Sequence, residues 1–391
     1  MSLSFQVLAT DGLARRGRLT TPHGVVETPA FMPVGTLGAV KGVTPQELEA
    51  AGASILLSNL YHLALRPGID VVERLGGLHA FTGWPGPILT DSGGFQVWSL
   101  GGLRTVDADG VTFRSHLDGS PLRFTPEGVV DFQERMGVDV AMMLDECPPW
   151  PVTPEAAAAS WLRTLDWARR ARAAWRGTSG GGLFGIVQGS VYRGLRERAA
   201  ADLTALDFDG YAIGGVSVGE TAPERHAAVE WTAPLLPADR PRYLMGVGYP
   251  EDILHATTHG VDLFDCVLPA RNARHGVLFT RQGVLKIKNA RYKDDPLPID
   301  PECGCPACRR TSRAFLHHLT RSGELTAAVL ATLHNLRFYL DFMAGLRQSI
   351  QLGTLTEQAK LARRTTGGDP PEGPDVRVLP VSSDPLEQRS S

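Results

Sequence analysis

Short apolar runs alternate with amphipathic stretches through the first two thirds of the chain, and the apolar runs are the predicted strands. Eight of them stand out: Ala30–Val34, Ser54–Ser58, Pro87–Thr90, Val138–Leu144, Leu183–Val187, Tyr211–Ile213, Arg242–Met245 and Leu263–Val267. Eight strands with intervening helices over about 250 residues are typical of a (β/α)8 TIM barrel, more than of an open doubly wound sheet. The predicted fold is therefore α/β, with the barrel spanning residues 1–270.

Proline-containing turns mark the starts of several predicted helices. In Thr125-Pro126-Glu127 and in Thr153-Pro154-Glu155, a capping side chain precedes a first-turn proline. Thr221 to Glu224 and Tyr249 to Glu251 repeat this signal. The second of these helices is alanine-rich to about Arg176 and breaks at the glycine-rich segment Gly177–Gly182.

Polar residues recur at one place in this pattern, at or just after the carboxyl end of a predicted strand. The residues concerned are Asn59, Asp91, Asp145, Gln188, Gly214-Gly215, Met245 and Asp265. In a barrel these strand ends share one face, where active sites of this fold are found. Asp and Asn are also common in ordinary turns, but so many coincidences favour a functional face.

The segment Leu263–Arg274 carries the strongest chemical signal. Asp265 lies among apolar residues of a predicted strand, Pro269 is predicted to end that strand, and Arg271 and Arg274 follow in a predicted loop. A carboxylate at a strand end can serve as nucleophile or base, and neighbouring arginines suit a phosphate-bearing substrate. The competing interpretation is an Asp that caps a turn and pairs with Arg271.

The chain becomes basic after the last barrel strand, in a region predicted to span residues 271–350. Between Arg271 and Lys293 it contains seven basic residues and no acidic one, and the alternation in Val284–Lys288 predicts a strand with lysines on one face. This pattern fits a solvated edge strand and nucleic-acid contact equally well.

Three cysteines within six residues, Cys303, Cys305 and Cys308, predict a metal site in this region. With His334 they form a Cys3His set that suits tetrahedral zinc, and four protein ligands make such a site structural. An iron–sulfur site or a redox CxxC is less favoured. His317 and His318 are also nearby, but are expected on a helix face without a metal role.

Composition narrows the class of protein. The 391 residues are 43% hydrophobic and 21% charged, with a net charge of −3, so any nucleic-acid binding must come from a local patch. No secretory h-region or membrane-spanning run is present, which favours a cytoplasmic protein that does not act at a membrane. The tail, 353–391, is polar and then Gly/Pro/Ser-rich, and is expected to be disordered. The glycine-rich segments Gly180–Gly185 and Gly214–Gly219 fit no phosphate-loop fingerprint.

Taken together, the motifs resemble those of the tRNA-guanine transglycosylase family, in order, from about residue 5 to residue 350. They are Asp91-Ser-Gly-Gly-Phe-Gln96, Asp145-Glu-Cys147, Gln188-Gly189, Gly214-Gly-Val-Ser-Val-Gly-Glu220, Tyr243-Leu-Met-Gly-Val-Gly248, Phe264-Asp-Cys-Val-Leu-Pro-Ala-Arg271 and the Cys3His set.

The resemblance implies exchange of the wobble guanine of certain tRNAs for a 7-deazaguanine, without cleavage of the RNA backbone. It implies Asp265 as the nucleophile and Asp91 as the general acid/base. A carboxylate that traps an oxocarbenium-like centre is the chemistry of retaining glycosidases.

The resemblance also implies how the base and the RNA are held. Asp145 would accept hydrogen bonds from the ring N–H and exocyclic amine of guanine, and Gln188 and the Gly215 N–H would contact its carbonyl. Phe95 and Met245 would clamp the ring, Asn59 would hold the ribose, and Arg271 and Arg274 would hold the anticodon loop. For Phe95 and Met245, plain core packing is the competing interpretation.

Base preference and assembly are further implications. Val218 and Cys147 match bacterial members, which take the prequeuosine base, 7-aminomethyl-7-deazaguanine. Val216 and Ser217 depart from the Leu-Ala of many bacterial members, which bears on fine base preference. A homodimer is implied. Competing functions are a non-catalytic RNA-binding partner subunit, which could lack Asp91 and Asp265, and a hydrolase with catalytic zinc, for which the Cys3His set leaves no open position.

Overall fold

Eight parallel strands form a closed barrel in the computed structural model, which describes residues 2–94 and 104–355. The strands are Ala30–Met32 with Val34–Gly35, Leu56–Asn59, Ile88–Asp91, Val140–Met142, Gly182–Val187, Gly210–Ile213, Arg242–Leu244 and Leu263–Asp265. Pro33 divides the first strand: its first half pairs with the last strand and its second half with the second strand. This division closes the sheet, and the predicted TIM barrel is confirmed.

Helices connect the barrel strands and bury the outer face of the sheet. They are Pro45–Ala51, Leu60–Leu65, Ile69–Arg74, Gly77–Thr82, Pro126–Met136, Pro154–Ala174, Arg193–Thr204, Ala222–Thr232 and Pro250–Thr258, with a 3-10 turn at Ala233–Leu235. Thr125, Thr153 and Thr221 each cap a helix as predicted, since each hydroxyl accepts a hydrogen bond from the N–H three residues on. The strands are almost entirely buried on both faces, as parallel strands usually are.

Two antiparallel sheets flank the barrel, and neither was among the predicted strands. Ser4–Asp11, Ala14–Thr21 and Gly24–Thr28 form the first sheet. It lies at the amino-terminal end of the barrel strands, where Arg15 makes a buried ion pair with Asp262. Arg104–Asp107, Gly110–Arg114 and Pro121–Phe124 form the second, inserted between the third barrel strand and its helix, and therefore beside the opposite face.

The segment after the last barrel strand differs from the prediction. Leu268–Arg274 is a helix with Pro269 in its first turn, so the expectation that Arg271 and Arg274 lie in a loop was wrong. Proline lacks an N–H and has a fixed φ, which suits a first helical turn as well as a strand end. The predicted domain boundary between residues 270 and 271 falls inside this helix.

A small second apolar cluster follows, separate from the barrel core. It is built from a hairpin, Val277–Thr280 with Gly283–Lys286, a 3-10 turn at Ala290–Tyr292, and the helices Pro306–Arg310, Arg313–Ser322 and Leu325–Leu352. Asn335 on the last helix ties this region to the barrel: its Nδ2 donates to the carbonyls of Pro269 and Val277, and its Oδ1 accepts from the N–H of Phe279.

The end of the described chain remains attached to the fold. Leu355 is buried, and its N–H donates to Asp11 at 2.8 Å. The rest of the predicted disordered tail, 356–391, lies outside the described residues. Within the parts of the chain that the structure covers, no helix is long and apolar enough to cross a bilayer.

Candidate active site

The polar residues predicted at the strand ends do converge on one end of the barrel. Asn59, Asp91 and Asp265 are the last residues of their strands. Asp145, Gln188, Gly214 and Met245 follow within three residues of theirs. Because all eight strands are parallel, these positions share the carboxyl-end face of the barrel.

Asp265 is held by two donors from the neighbouring strand. The hydroxyl of Tyr243 donates to its Oδ1 at 2.6 Å, and the N–H of Gly246 donates to the same oxygen at 2.7 Å. Among the described residues, no donor contacts Oδ2. Burial raises the pKa of Asp265, while the two hydrogen bonds oppose that shift. Asp265 is thus fixed through one oxygen, with the other available for chemistry.

Asp91 is partly buried, and both oxygens of its carboxyl group accept hydrogen bonds. Asn59 Nδ2 donates to Oδ2 at 2.5 Å, and the backbone N–H groups of Leu60 and Gly93 donate to Oδ1 at 3.0 and 3.1 Å. Burial, with a smaller repulsion from Asp265, raises the pKa of Asp91 to about 7. A carboxyl group with a pKa near neutrality can both give and take a proton under physiological conditions.

Asp145 and Gln188 form a second polar pair in the same face. Gln188 Nε2 donates to Asp145 Oδ2 at 2.6 Å, and Ser92 Oγ donates to Oδ1 at 3.2 Å. Burial raises the pKa of Asp145 to about 6 despite both bonds. Gln188 Oε1 is buried, and no donor in the described part of the chain reaches it. The pair therefore presents acceptor oxygens to whatever fills the face.

The loop after the sixth strand is held in an unusual backbone conformation. Gly215 has φ +66° and Ser217 has φ +62°, a backbone region that residues other than glycine seldom adopt. A Cβ at Gly215 would lie 2.5 Å from Gln188 Oε1, so only glycine fits there. Val216, between them, is 5% exposed.

Arg196 and Glu220 make hydrogen bonds to the backbone of this loop, and neither was among the predicted site residues. The fully buried guanidinium of Arg196 donates to the carbonyls of Ser190, Gly214 and Gly215, the last two at 2.9 and 3.3 Å. Glu220 accepts from the N–H groups of Ser217 and Val218 at 2.6 and 2.9 Å. Glu220 belongs to a motif that could have drawn attention, whereas the burial of Arg196 on an outer helix has no sequence signal.

Of the remaining predicted residues around the base, the structure describes Met245 and Cys147. Met245 is partly buried against the barrel core, just beyond the strand that carries Tyr243. Phe95 lies outside the described residues. Cys147 is buried close to Asp145, and burial raises the pKa of its thiol to about 12, which keeps it protonated.

A basic pocket of about 200 Å³ lies beside the helix Leu268–Arg274, and its lining begins at Cys266, the residue after Asp265. Arg271, Arg274 and Lys41 contribute its charged lining, and Cys266 lies at its wall. Both arginines are exposed, and Arg274 Nη1 donates to the carbonyl of Ala270 at 2.9 Å. Cationic side chains around an exposed pocket suit an anionic ligand.

The basic strand is close to its prediction. Gly283–Lys286 pairs antiparallel with Val277–Thr280 and ends two residues earlier than expected. Val284, Lys286 and Lys288 are exposed, while Leu285 and Ile287 are buried. The alternation that predicted one basic face is therefore confirmed.

The sulfur atoms of Cys303, Cys305 and Cys308 and a ring nitrogen of His334 lie within 4.8 Å of one another. His334 Nδ1 is 3.3 Å from Cys308 Sγ and 3.6 Å from Cys305 Sγ, while its Nε2 contacts the carbonyl oxygen of Phe279 at 2.8 Å. That contact orients Nδ1 towards the thiols, as outer contacts of metal-bound histidines do. The cluster could hold a metal ion. His317 instead contacts the carbonyl of Ile287, as expected for a residue without a metal role.

Comparison with known proteins adds independent information. The family model described as Queuine tRNA-ribosyltransferase matches residues 10–367. A Queuine tRNA-ribosyltransferase of Desulforudis audaxviator is 56% identical over 352 residues, covering 90% of this chain and 95% of the relative. Proteins of the same name from Methylobacillus flagellatus and Nitrosomonas europaea are 53% and 52% identical, covering 90% and 94% of this chain and 95% and 98% of the relatives.

Proposed function

The chain belongs to the queuine tRNA-ribosyltransferase family of tRNA-guanine transglycosylases, and we propose that it exchanges the wobble guanine by double displacement at Asp265. Its substrates are tRNA and a 7-deazaguanine base, in queuosine modification of tRNA. The observation that carries the proposed mechanism is that two carboxyl groups, Asp91 and Asp265, end their strands on one barrel face, where the charge of Asp265 contributes to the raised pKa of Asp91.

In the first half of the reaction, Asp265 Oδ2 attacks C1′ of the ribose. The bond from C1′ to guanine breaks, a bond from C1′ to Asp265 forms, and Asp91 gives its proton to the departing base. In the second half, Asp91 takes a proton from the incoming base, whose nitrogen displaces Asp265 from C1′. Each half passes through an oxocarbenium-like centre, for which a carboxylate trap is well suited.

The base lies between the strand ends, turned out of the RNA stack. Asp145 accepts from the ring N–H and exocyclic amine, Gln188 and the Gly215 N–H contact the carbonyl, and the Val216 backbone contacts the base edge. Phe95 and Met245 lie against the ring faces. Glycine at 215 allows the close approach that such a backbone contact needs.

The base that we propose enters is 7-aminomethyl-7-deazaguanine, the prequeuosine base. Support comes from Val218 and Cys147, which resemble the residues of bacterial members, and from the bacterial relatives described above. Val216 and Ser217 depart from the commoner Leu-Ala, but a contact made through the Val216 backbone tolerates that change.

The RNA is held by cationic groups beside the nucleophile. Arg271 and Arg274 bind the anticodon loop, and the exposed Lys286 and Lys288 extend that surface along the hairpin. Asn59 holds a ribose hydroxyl. Since the Asn59 amide donates to Asp91, this contact would use its remaining donor or a rearrangement on RNA binding.

We propose zinc as the metal of the Cys3His cluster. Three thiols and one imidazole form the donor set of many structural zinc sites, and four protein ligands leave no position for substrate. Cys303, Cys305, Cys308 and His334 would hold the ion, which contributes folding free energy rather than chemistry.

We also propose that the protein works in the cytoplasm, where its tRNA substrate is found, and that it forms a homodimer. Phe315 and Leu325, on the helices of the metal-binding region, are 48% and 83% exposed. Contact with a second copy would remove such apolar surface from water. Sedimentation measurements at micromolar concentration would separate a dimer from a monomer.

The test of the function follows labelled guanine in an anticodon stem-loop incubated with the prequeuosine base. We expect release of the label by the intact protein and none by Asp265→Asn, because the amide cannot form the covalent intermediate. A denaturing gel should show protein-linked RNA with the intact protein only. Metal content serves as the control and should be equal in both proteins.

Binding of the stem-loop without any release of guanine would contradict the proposed mechanism. It would instead favour a non-catalytic RNA-binding subunit. A fully active Asp265→Asn protein would overturn the nucleophile assignment alone.

A further inference from the structure

A second group of metal-ligand side chains lies on the outer wall of the barrel, away from the strand ends. Glu230 lies on the helix Ala222–Thr232, while His255 lies on Pro250–Thr258 and His259 ends that helix. One donor atom from each of the three residues lies within 4.8 Å of the other two. His255 and His259 are four residues apart, so both rings project from the same helix face.

The two imidazole rings are oriented by backbone carbonyls. His259 Nδ1 lies 2.8 Å from the carbonyl oxygen of His255, so Nδ1 carries the proton and the Nε2 lone pair is available. The ring of His255 makes a hydrogen bond with the backbone of His226. His255 Nε2 is buried, and no hydrogen-bond partner within the described chain reaches it. Metal-bound histidines are usually oriented by such outer contacts.

His255 Nε2 faces a carboxylate rather than a donor. It lies 3.2 Å from Glu230 Oε1. Despite this distance, Nε2 makes no hydrogen bond within the described chain. In the neutral ring with its proton on Nδ1, a lone pair and a carboxylate oxygen therefore oppose each other, an arrangement that a cation between them would relieve.

The neighbouring charged groups are already paired with one another. Asp252 accepts from Arg225 at 2.9 Å and pairs with His226 Nε2 at 2.7 Å. Arg225 also donates to Glu220 at 3.2 Å. The ring of His226 stacks on that of His255, with centroids 4.0 Å apart, but its Nε2 is directed to Asp252. His226 and Asp252 therefore lie beside the three-residue group without belonging to it.

We propose that Glu230, His255 and His259 bind a divalent transition-metal ion of the zinc class on the outer wall of the barrel. Two imidazole nitrogens and one carboxylate oxygen are ligands that Zn²⁺, Ni²⁺ and Cu²⁺ accept readily. Around zinc, such ligand atoms lie about 3.4 Å apart, given bond lengths of about 2.0–2.1 Å. Glu230 Oε1 and His255 Nε2, 3.2 Å apart, are already close to that separation, and the donor atoms of all three residues lie within 4.8 Å of one another.

The bound ion would join two consecutive outer helices of the barrel. Solvent reaches the site through Glu230, whose side chain is 45% exposed, so water can complete the coordination. This site is independent of the Cys3His cluster, since it uses no thiol and lies on other elements. Its effect would be to stabilise the helix pair without changing base exchange.

The test uses the full-length protein, first loaded with one equivalent of metal at the Cys3His cluster. Titration with Zn²⁺ by calorimetry should reveal one further equivalent. His259→Gln and Glu230→Gln should each abolish it, whereas the matched control His226→Gln should retain it. With Co²⁺, the additional equivalent should show d–d absorption without the thiolate-to-metal charge-transfer band of the cysteine site.

Two results would overturn the proposal. One is a titration of the intact protein that ends with the Cys3His equivalent. The other is an additional equivalent that persists in both His259→Gln and Glu230→Gln, because the ion would then be bound elsewhere. Circular dichroism of the variants shows that they are folded, and the conservative change at the half-exposed Glu230 does not disturb packing.

Discussion

At the residue scale, the face of the barrel separates two carboxyl groups by their surroundings. Asp265 receives a phenol hydroxyl and a backbone N–H on one oxygen, which favours its charged form. Burial raises the pKa of Asp265, and these two hydrogen bonds oppose that shift. Burial raises the pKa of Asp91 to about 7, well above the ordinary value of 3.8, so Asp91 can hold the proton that a general acid gives.

The pH dependence of guanine release tests the raised pKa of Asp91 and its proposed role as the general acid. Asp91 is protonated below its raised pKa, so we expect kcat/KM to fall as pH rises through about 7, where the acid loses its proton. The measurement is single-turnover release from the stem-loop between pH 5.5 and 9. Asn59→Ala removes a hydrogen bond that lowers the pKa of Asp91 and should move the alkaline limb to higher pH. A flat profile across this range would refute Asp91 as the acid.

Sequence was informative about which residues lie at the strand ends, but not about how they are bonded. Asp91, Asp145 and Asp265 were each identified from a carboxylate that follows an apolar run. The donors to Asp265 and the buried Arg196 depend on contacts between distant segments, which no local pattern encodes. The helix at Leu268 was missed for a local reason, since proline is compatible with both structures.

At the element scale, the loop at residues 214–217 depends on a helix on the outside of the barrel. Arg196, on the helix Arg193–Thr204, donates to the carbonyl of Ser190 and to the loop carbonyls of Gly214 and Gly215. Its Nη1 is buried and has no partner in the described structure. Arg196 is thus a positioning residue that contacts the loop rather than the base.

We expect Arg196→Leu to raise KM for the incoming base roughly tenfold or more, because each buried carbonyl left unpaired costs about 1–3 kcal/mol. The value of kcat should change less, since Asp91 and Asp265 are untouched. Steady-state kinetics with varied base concentration provides the measurement. Arg196→Lys retains a charge and one donor and should recover part of the loss. A tenfold loss in kcat with an unchanged KM would contradict a positioning role.

The metal-binding region is another element whose integrity depends on few residues. We expect Cys305→Ala to lose the bound metal and to lower the melting temperature by roughly 5 °C or more, since about 1 kcal/mol shifts the midpoint by about 2–4 °C in large domains. Metal analysis and calorimetry check this expectation. Cys147→Ala, at a buried thiol outside the cluster, is the control for metal content. Full stability without metal would refute a structural role.

At the scale of the whole molecule, the net charge of −3 does not attract RNA. Electrostatic attraction must therefore come from a local basic surface. The exposed arginines of Leu268–Arg274 and the exposed lysines that follow lie on consecutive elements after the strand that ends at Asp265. The proposed RNA-binding surface therefore adjoins the proposed nucleophile.

Salt dependence of stem-loop binding tests that surface. We expect the slope of log affinity against log salt to decrease by about 0.7 for each phosphate contact removed, so Arg271→Ala and Arg274→Ala should each flatten it. Arg198→Ala is the matched control, because this exposed arginine lies on an outer helix and pairs with Asp202. Fluorescence anisotropy between 50 and 300 mM salt gives the slopes. Affinities that depend on several phosphate contacts fall by about tenfold or more over such a range. Equal slopes in all three variants would exclude the two arginines.

The architecture was the part best predicted from sequence, because a barrel repeats one signal eight times. Errors of a residue or two at each strand do not alter that count. The two flanking sheets were missed because each occurs once and repeats no signal found elsewhere in the pattern. Asp107 to Gly110 and Arg114 to Pro121 are turns of an insertion that has no counterpart elsewhere in the barrel.

Neighbouring residues on the last helix have a practical consequence for any preparation of this protein. His334 faces the thiol cluster, while Asn335 donates to the carbonyl of Pro269, in the helix that carries the proposed RNA-binding arginines. Chelators in a purification buffer would first remove the metal from the cluster at His334. Because Asn335 is the next residue, its contact with Pro269 would then be disturbed as well. Such a batch would still take up free base normally while processing only a fraction of its tRNA, so specific activity should be normalised to metal content rather than to protein mass.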